Sequence, residues 1–563
     1  MKREKTSQLY LALGGSNHDF SAALMRGNDI RVAIEQERLS RNKHGITEWF
    51  DNPFAMSINY CLNAESVAFS DIDIIVGSDT IPARVKAQFE NKQMHLYPHH
   101  LCHAASAYLM QHPRKKVGIL VYDGYGSMCQ SPDIDNQMET RETFSFFNFS
   151  QNGYECLGRT LGSGFAEKDE YPKGVSNSLG MLYEVITAKL GFKPVEAGKT
   201  MGLASYGTPR YVAALEEFIQ YGEGMSSCFS CNAAAPEFIA CLDNILMSES
   251  NNFNVRANLA ASIQVLFHKV LTNCFRFFDL DNLDCICLAG GCALNSVANS
   301  YITEKVGDTV PIIIPPYCGD AGLGLGALWL ERFTAERQAP IITFRNGPVF
   351  PTIAKPGRVY SSRECRDAAY AYYPRLVHDP SVFSARRLAQ LLAGGAIIGV
   401  VNGGSEIGPR SLGGRSILAD PRTVVNRERI NRQLKHREPF RPLAPIVLRS
   451  DYSEYFHDER FADPFMLKVA QAKERCLREA PAIVHIDGTA RVQVVEEDGD
   501  FFLVELLRAF KEITGIGVLI NTSFNRRGEP LVESPVDAID AFLGMGLDGV
   551  YMEGEYYYRA TVV

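Results

Sequence analysis

Two histidines spaced four residues apart are the clearest candidates for chemistry in this sequence of 563 residues. His99 and His103 lie in the run His-His-Leu-Cys-His, which is followed by Ala-Ala-Ser-Ala and is typical of a helix. On a helix, this spacing places both imidazoles on one face, about 5–6 Å apart at Cβ. Neutral imidazoles bind borderline transition metals such as Fe, Zn, Ni or Cu. The pair indicates either a metal site or ordinary helix histidines, and His100 between them has no assigned role.

Two aspartates that follow apolar runs could complete a metal site. Asp123 follows the run 117–122 and begins Asp-Gly-Tyr-Gly-Ser, and Asp320 lies in Cys-Gly-Asp-Ala-Gly. Side chains at the carboxyl ends of strands face the crevice where open α/β sheets bind ligands, although each aspartate could also be a simple turn residue. With the histidines they would form a set of two imidazoles and two carboxylates. Such a set leaves two octahedral positions for water or phosphate oxygens.

Small residues near these aspartates indicate loops that approach a nucleotide. Gly124 follows Asp123, and Gly290-Gly291 precedes Asn295. Such residues are needed where the backbone comes close to a phosphate, although many ordinary turns contain them. Lys199 lies in Glu-Ala-Gly-Lys-Thr, which is not a Walker A motif; it could neutralise a phosphate or be a surface lysine.

Polar residues near the N-terminus form a further candidate group. His18 follows an apolar run and could act as a general base, because an imidazole has a reference pKa near 6.5. A hydrogen-bonded structural histidine is the alternative. The polar segment 35–45 is expected to be a solvent-exposed face. The alternative is that it contacts an anionic ligand.

The second half of the chain concentrates basic and hydroxyl side chains. Arginine side chains and exposed backbone N–H groups match phosphate oxygens geometrically. The candidates for a phosphate pocket are Arg410 in Gly-Pro-Arg-Ser-Leu-Gly-Gly-Arg-Ser, Lys435, Arg437, Arg491, and Ser523 and Asn525 after an apolar strand.

Strands and helices that alternate along the chain must position these side chains. The predicted strands are 9–13, 21–25, 117–122, 285–289, 310–314 and 396–401, and the predicted helices are 293–299, 321–332 and 385–392. Strand, glycine turn and helix in repeated order indicate an α/β fold. The Pro- and Gly-containing stretch 335–360 is typical of a connector between domains.

Composition narrows the classes of function. A net charge of -8 argues against broad, non-specific binding of nucleic acid, and no apolar run is long enough to span a membrane. The N-terminus does not read as a signal peptide, and the scattered cysteines fit reduced thiols, so we expect a cytoplasmic protein. The sequence leaves the oligomeric state open, with a homodimer as one option.

The order of the motifs resembles that of the NodU/CmcH family of O-carbamoyltransferases. Lys435-x-Arg437 with Ser523-x-Asn525 is similar to the KxR…SxN signature of YrdC/Sua5-like domains, and the HxxxH motif with its late aspartate is similar to ASKHA (actin- and hexokinase-like) domains. The resemblance implies an ASKHA-like domain over 1–345, a linker over 346–365 and a YrdC-like domain over 366–563. Three positions depart from the common pattern: Gly404 stands where arginine is common, Gly414 where asparagine is common, and Ser127 where an acidic residue is common.

The resemblance also implies an activity and roles for single residues. The expected substrates are carbamoyl phosphate, ATP with Mg²⁺, and a hydroxylated natural product such as an antibiotic or a sugar. Carbamoyladenylate would form in the C-terminal domain, and its carbamoyl group would be transferred in the N-terminal domain with His18 as base. Fe(II) would be bound by His99, His103, Asp123 and Asp320. The adenylate site would hold Lys435, Arg437, Ser523, Asn525, Arg410 and Arg491.

Other classes of function remain open. An ASKHA-type phosphotransferase would explain the glycine loops but not the basic second half. A nucleotide-dependent assembly protein would bind ATP without transfer to an alcohol. A maturation enzyme that carbamoylates a protein thiol would be expected to carry acylphosphatase and zinc-finger segments, which this sequence lacks.

Overall fold

The chain forms two compact units. The computed structural model describes residues 8–45, 52–89, 91–111, 115–129, 140–163, 176–247, 253–345 and 353–560. Unit 1 comprises Met1–Ile75, Ala83–Gln93 and Ile342–Val563, and unit 2 comprises Val76–Pro82 and Met94–Ile341. The predicted domains 1–345 and 366–563 do not coincide with these units, because the first 75 residues group with the C-terminal half. Part of the predicted linker lies outside the described residues.

Unit 1 begins with an antiparallel meander. Its strands are Leu9–Gly14, Ser21–Arg26 and Asp29–Glu35. The short strand Thr343–Phe344 runs parallel to the third strand and brings the chain back to this sheet. The first two strands are buried over nearly their whole length, which agrees with their almost uninterrupted apolar sequence.

An eight-stranded mixed sheet forms the C-terminal part of unit 1. In spatial order its strands are Leu376–His378, Glu555–Arg559, Gly549–Met552, Ile398–Val401, Arg415–Ala419, Val518–Ser523, Ala444–Leu448 and Gln493–Val495. Ala470–Gln471 and Thr489–Ala490 form a small separate sheet. The helices of unit 1 are Gln36–Ser40, Ala55–Ala64, Ala83–Ala87, Ser362–Tyr370, Ala385–Ala393, Val424–Glu428, Arg449–Tyr455, Glu474–Glu479, Phe501–Thr514 and Pro535–Met545, with a π-helical segment at Arg429–Leu434.

Unit 2 is built on a second mixed sheet. Its central order is Ile312–Ile313, Cys285–Ala289, Val117–Tyr122, Thr140–Ser150 and Met128–Cys129, and Gly153–Ser163 pairs with Thr140–Ser150. Gln220–Tyr221 pairs with Phe229–Ser230. Ile74–Ser78 and Gln93–Tyr97 are strands that each cross a boundary between the units. The helices of unit 2 are His99–Tyr108, Leu179–Lys189, Ala197–Ala204, Val212–Glu216, Pro236–Met247, Phe253–Phe275, Ser296–Val306 and Leu323–Glu336.

Close packing of two helices positions the histidine pair. Helix His99–Tyr108 is buried along its whole length and packs on helix Leu323–Glu336. A Cβ at Gly326 would lie 1.9 Å from the Cys102 carbonyl oxygen, so only glycine allows this approach. The contact brings the start of one helix next to the loop before the other, where Asp320 lies.

The predicted α/β class is confirmed, with differences at the ends of elements. Strands Val117–Tyr122 and Cys285–Ala289 have the predicted bounds. The helix expected over 293–299 is instead a 3₁₀ turn, Gly291–Leu294, followed by helix Ser296–Val306. The side chain of Asn295 accepts a hydrogen bond from the Ala298 N–H, and this cap starts the helix later than predicted.

Candidate metal site and anion site

Four side chains predicted as metal ligands converge in unit 2. Single ligand atoms of His99, His103, Asp123 and Asp320 all lie within 4.8 Å of one another. The Nε2 atoms of His99 and His103 are 3.1 Å apart, and His103 Nε2 is 3.1 Å from Asp123 Oδ2. Asp320 Oδ1 lies 3.6 Å from His99 Nε2 and 3.5 Å from His103 Nε2.

These distances fit one metal ion. A metal bound at about 2.0–2.2 Å by each ligand atom separates neighbouring ligand atoms by about 3.0–3.5 Å. The two nitrogen and two oxygen donors suit a borderline divalent transition metal. Both imidazoles and Asp320 are buried, so a bound ion would be largely shielded from bulk water.

Neighbouring polar groups hold the ligands in place. Asp123 Oδ1 accepts hydrogen bonds from the backbone N–H groups of Gly124 (2.7 Å) and Gly291 (3.2 Å), which leaves Oδ2 toward the histidines. Thr80 Oγ1 lies 3.1 Å from His99 Nδ1, and Ser127 Oγ accepts the His99 backbone N–H at 2.7 Å. Such contacts of metal ligands fix their orientation.

The carboxylates also determine the charge of the site. Burial tends to lower the pKa of His103, but hydrogen bonds and the charges of Asp123 and Asp320 outweigh it and raise the pKa to about 9. Burial tends to raise the pKa of Asp123, and His103 and His99 hold it well below its usual value. The four groups therefore stabilise a positive charge at their centre, as a proton or as a metal cation.

His100 contacts Ser145 and packs against the loop after Asp123. Its Nδ1 lies 2.8 Å from Ser145 Oγ, and burial lowers its pKa well below the usual value. A Cβ at Gly126 would lie 2.6 Å from His100 Cδ2. The neutral ring therefore packs directly beneath the Gly126 backbone and gives His100 a structural role.

The predicted nucleotide-binding residues of unit 2 divide into two groups. Gly124, Gly290 and Gly291 adjoin Asp123, and Gly290 has a φ of 90° with no space for a Cβ next to the Tyr122 carbonyl oxygen. Asn295 pairs its amide with that of Gln264 in addition to capping a helix. Lys199 Nζ forms an ion pair with Glu196 at 2.7 Å. The three glycines therefore lie next to a metal-ligand candidate, whereas Asn295 and Lys199 contact other side chains and the start of a helix.

In unit 1 the predicted KxR…SxN residues form one cluster. Lys435 Nζ donates to the Ser523 carbonyl (2.5 Å), Ser523 Oγ (2.8 Å) and Asn525 Oδ1 (3.0 Å). The π-helical segment ends immediately before Lys435, and the next residue, His436, has a φ of 43°. Such backbone geometry is frequent at functional sites. Arg437 does not share these hydrogen bonds; its Nε donates to Asn431 Oδ1 at 2.6 Å.

The cluster concentrates positive charge in a buried place. Burial lowers the pKa of Lys435 well below its usual value, and Arg437, Arg441 and Lys43 act in the same direction. Burial likewise lowers the pKa of Arg491, together with Arg410, Arg441 and Arg437. Arg491 Nε is buried and has no hydrogen-bond partner among the described residues. A bound anion would relieve this repulsion and supply acceptors, so the cluster has the properties of an anion site.

Two of the three departures from the family pattern, Gly404 and Gly414, pack against each other. A Cβ at Gly414 would lie 2.6 Å from the Gly404 carbonyl oxygen, and one at Gly404 would lie 2.4 Å from the Lys355 carbonyl oxygen. The arginine and asparagine common at these positions have no space here. Ser127, the third departure, instead accepts the His99 N–H and donates to Asp79 Oδ1 at 2.9 Å.

His18 belongs to unit 1 and shares a carboxylate with a second histidine. His18 Nδ1 lies 3.0 Å from Asp19 Oδ2, and His44 Nδ1 lies 2.9 Å from Asp19 Oδ1. Burial tends to lower the pKa of His44, but Asp19 outweighs it and raises the pKa. The same carboxylate orients the His18 ring through Nδ1.

The default expectation of a solvated face at 35–45 is wrong for its first four residues. Glu35, Gln36, Glu37 and Arg38 are buried. The sequence contained one signal, since Glu35 and Arg38 are three residues apart and form an ion pair, but their other partner, Gly408, lies far away in the chain.

A cluster of metal donors and a cluster of cationic side chains on α/β scaffolds are features of group-transfer enzymes. Residues 79–328 match the family model described as "Carbamoyltransferase N-terminus", and residues 389–559 match "Carbamoyltransferase C-terminus". The chain belongs to the carbamoyltransferase family of NodU/CmcH type and is a carbamoyltransferase. This confirms the resemblance noted in the sequence, and the family implies a carbamoyl donor and an acceptor.

Relatives of the protein match between about half and nearly all of the chain. Nodulation protein NolNO of Sinorhizobium fredii is 30% identical over 96% of this chain and 78% of its own length. 3'-hydroxymethylcephem-O-carbamoyltransferase of Amycolatopsis lactamdurans is 34% identical over 48% of each chain. The solved structure of T. kodakarensis HypF aligns with 59% of this chain and 48% of its own, at 12% identity and a TM-score of 0.34. In the part of the chain that the structure describes, every helix is too short or too polar to cross a bilayer.

Proposed function

We propose that this carbamoyltransferase is ATP-dependent and transfers the carbamoyl group of carbamoyl phosphate, through carbamoyladenylate, to a hydroxyl of a small natural product. An antibiotic or a sugar-like molecule is the expected acceptor. The observation that carries the proposal is the buried cationic cluster around Lys435, which suits a nucleotide and a carbamoyl donor that are both phosphorylated. The cephem O-carbamoyltransferase among the relatives supports a hydroxyl as acceptor.

The first half-reaction is assigned to the anion site. Water cleaves carbamoyl phosphate to carbamate and phosphate, and a carbamate oxygen attacks the α-phosphorus of ATP. The bond to the β-phosphate oxygen breaks, so the products are carbamoyladenylate, pyrophosphate and phosphate. Arg410, Arg437 and Arg491 neutralise the phosphates, and Ser523 and Asn525 hold Lys435 beside them. Mg²⁺ would accompany ATP, as it does in most nucleotide sites.

The second half-reaction transfers the carbamoyl group. The acceptor oxygen attacks the carbamoyl carbon, the bond from that carbon to the AMP oxygen breaks, and AMP leaves. His18 takes the hydroxyl proton at Nε2, because Asp19 lies 3.0 Å from its Nδ1. A base of this kind contributes about 10²–10⁴ in rate.

The metal site is assigned to the carbamoyl-transfer step. His99, His103, Asp123 and Asp320 would hold Fe(II), which the donor set accommodates. When bound, such an ion supplies Lewis-acid stabilisation of a phosphate leaving group. Thr80 and Ser127 orient His99, and the buried helix excludes water from the ligands.

The deciding experiment measures the products formed from ATP and carbamoyl phosphate. The full chain should release pyrophosphate only when carbamoyl phosphate is present. Lys435→Met should reduce that release at least about 100-fold because it removes a buried charge from the phosphate site. Lys473→Met, whose Nζ contacts only the exposed Ser453 carbonyl among the described residues, is the matched control.

Two results would overturn the proposal. Formation of ADP in place of pyrophosphate would indicate the phosphotransferase alternative. Undiminished pyrophosphate release by Lys435→Met would remove the anion site from the first half-reaction. Mass spectrometry of hydroxylated natural products after incubation would then identify the acceptor by a gain of one carbamoyl group.

A further inference from the structure

A cavity of about 320 Å³ lies in unit 1 and uses none of the residues assigned to the metal site or the anion site. Its polar lining side chains are Arg31, Asn63, Glu65, Arg345 and Arg358, and we call it the arginine cavity. It is open to solvent, since Asn63 is exposed and Val359, which also lines it, is 49% exposed. Sites for small molecules have volumes of about 300–1,000 Å³, so this cavity is large enough for a small ligand.

Arg345 is the arginine of the cavity that forms no ion pair with a carboxylate of the described residues. Its Nε donates to the Arg31 carbonyl at 2.9 Å, and its Nη2 donates to the Gly357 carbonyl at 2.5 Å. Burial lowers the pKa of its guanidinium, although nearby acidic groups act in the opposite direction. Because carbonyl oxygens carry no net charge, an anion in the cavity would stabilise this partly buried cation.

The backbone of Arg345 is held in an unfavourable conformation. Its φ is 51°, which lies in the left-handed region that residues with a side chain rarely adopt. The residue directly follows the short strand Thr343–Phe344, and its N–H donates to the Ile30 carbonyl at 2.9 Å. Such strain persists only where the surroundings enforce it, and it is concentrated at functional and ligand sites. The N-terminal meander therefore fixes the place at which Arg345 lines the cavity.

The other two arginines of the cavity are held in place by carboxylates. Arg31 Nη1 lies 2.8 Å from Asp29 Oδ2, and Arg31 Nε lies 3.0 Å from Glu65 Oε2. Arg358 forms an ion pair with Glu364. These pairs balance the charge of the Glu65 carboxylate in the lining and orient the guanidinium groups before a ligand binds, which reduces the entropy lost on binding.

We propose that the arginine cavity binds a phosphate group, either as the free ion or as part of a small phosphorylated molecule. Guanidinium groups match phosphate oxygens geometrically and donate two parallel hydrogen bonds to them. Arg31 and Arg358 are oriented by carboxylates, and Arg345 supplies a positive charge without such a partner. The exposed amide of Asn63 adds a neutral donor to the lining. This site is independent of the proposed function.

Calorimetry of the full chain with inorganic phosphate tests the site. Arg345→Met should bind one phosphate fewer than wild type, or bind it at least about tenfold more weakly, because a charge-assisted contact is lost. Arg358→Met should weaken binding in the same way, and it keeps the hydrogen bonds of Arg345 to the backbone. The matched control is Arg363→Met, which should bind phosphate as wild type does, since the Arg363 side chain is 84% exposed and lies 3.7 Å from Asp367.

A competition with AMP distinguishes the two forms of the ligand. AMP that displaces phosphate from the Arg345-dependent site would indicate a phosphorylated molecule, and phosphate that resists AMP would indicate the free ion.

Three results would overturn the proposal. They are phosphate binding in Arg345→Met and Arg358→Met that equals binding in wild type, a wild-type chain that binds no phosphate, and an equal loss of binding in Arg363→Met. Failure of the proposed function gives a different result. If Lys435→Met binds phosphate as wild type does while Arg345→Met has lost a site, the cluster around Lys435 is not a phosphate site and the arginine cavity is.

Discussion

Replacing Arg38 by methionine should destabilise the loop that carries Arg410, a residue of the anion site. Arg38 contacts this loop at Gly408, two residues before Arg410. The Arg38 side chain is 1% exposed and donates to Glu35 and to the Gly408 carbonyl. Methionine fills a similar volume but donates no hydrogen bond, so the Glu35 carboxylate would stay buried without its cation. Removing one partner of a buried ion pair costs about 3–5 kcal/mol.

Hydrogen exchange of the loop around Gly408 measures this cost directly. Because about 1.4 kcal/mol corresponds to a factor of ten, exchange in peptides covering residues 405–414 should accelerate by about two to three and a half orders of magnitude. The matched control is Glu35→Gln with Arg38→Met, in which the stranded charge is absent. Its amide oxygen can still accept the Gly408 N–H, so the loop should exchange more slowly than in the single variant.

The destabilisation of this loop in Arg38→Met should also depend on pH. Burial raises the pKa of Glu35 to about 7, Arg38 opposes this, and Glu37 and Asp19 add to it. Loss of Arg38 removes the opposing charge, so the folded-state pKa of Glu35 rises further above its unfolded value. A group with a raised pKa contributes stability at low pH and loses it as pH rises through the folded pKa.

After correction for intrinsic exchange, the loop of Arg38→Met should therefore be better protected at pH 5 than at pH 8. The double variant should show little of this difference. Exchange within threefold of wild type, or a double variant as fast as the single one, would refute the reasoning.

Three further predictions concern unit 2. His103→Ala should retain less than about one-tenth of the wild-type metal by mass spectrometry, whereas the exposed His457→Ala should retain all of it; equal contents would contradict the metal site. Gly126→Ala should lower the melting temperature, since its methyl would lie 2.6 Å from His100 Cδ2 and overpacking costs about 1–3 kcal/mol. Burial lowers the pKa of His268 to about 4, below its unfolded value, so the stability it contributes is present above about pH 6.5 and lost as pH falls toward 4. His268→Gln should therefore make the melting temperature depend less on pH between about pH 4 and 6.5. A variant with the same pH dependence as wild type would contradict this prediction.

The parts of the fold that the sequence predicted best are those with a continuous local pattern. Val117–Tyr122 and Cys285–Ala289 are central strands buried on both faces, and burial of this kind requires an unbroken apolar run. The convergence of Asp123 with the histidines was predictable for a related reason, because that carboxylate lies where a strand ends.

The parts that were missed depend on partners far away in the chain. Glu35 and Arg38 looked like solvated residues, since Gly408 lies 370 or more positions away from both. The pairing of the Asn295 amide with Gln264 in another helix was likewise not predicted, because no local pattern shows that partner. A local pattern gives the type of a side chain, whereas the folded topology decides which group it meets.

The hydrogen bond from Arg38 to Gly408 can form only late in the synthesis of the chain. Arg38 leaves the ribosome 370 residues before its partner, which is a delay of about 20–75 s at typical rates of translation. The intervening segment Met94–Ile341 belongs to unit 2 and is synthesised before Gly408. Arg38 and Glu35 must therefore remain without the Gly408 backbone as a partner until that part of the C-terminal half has been synthesised. The loop that carries Arg410 can reach its final position only after that pairing forms.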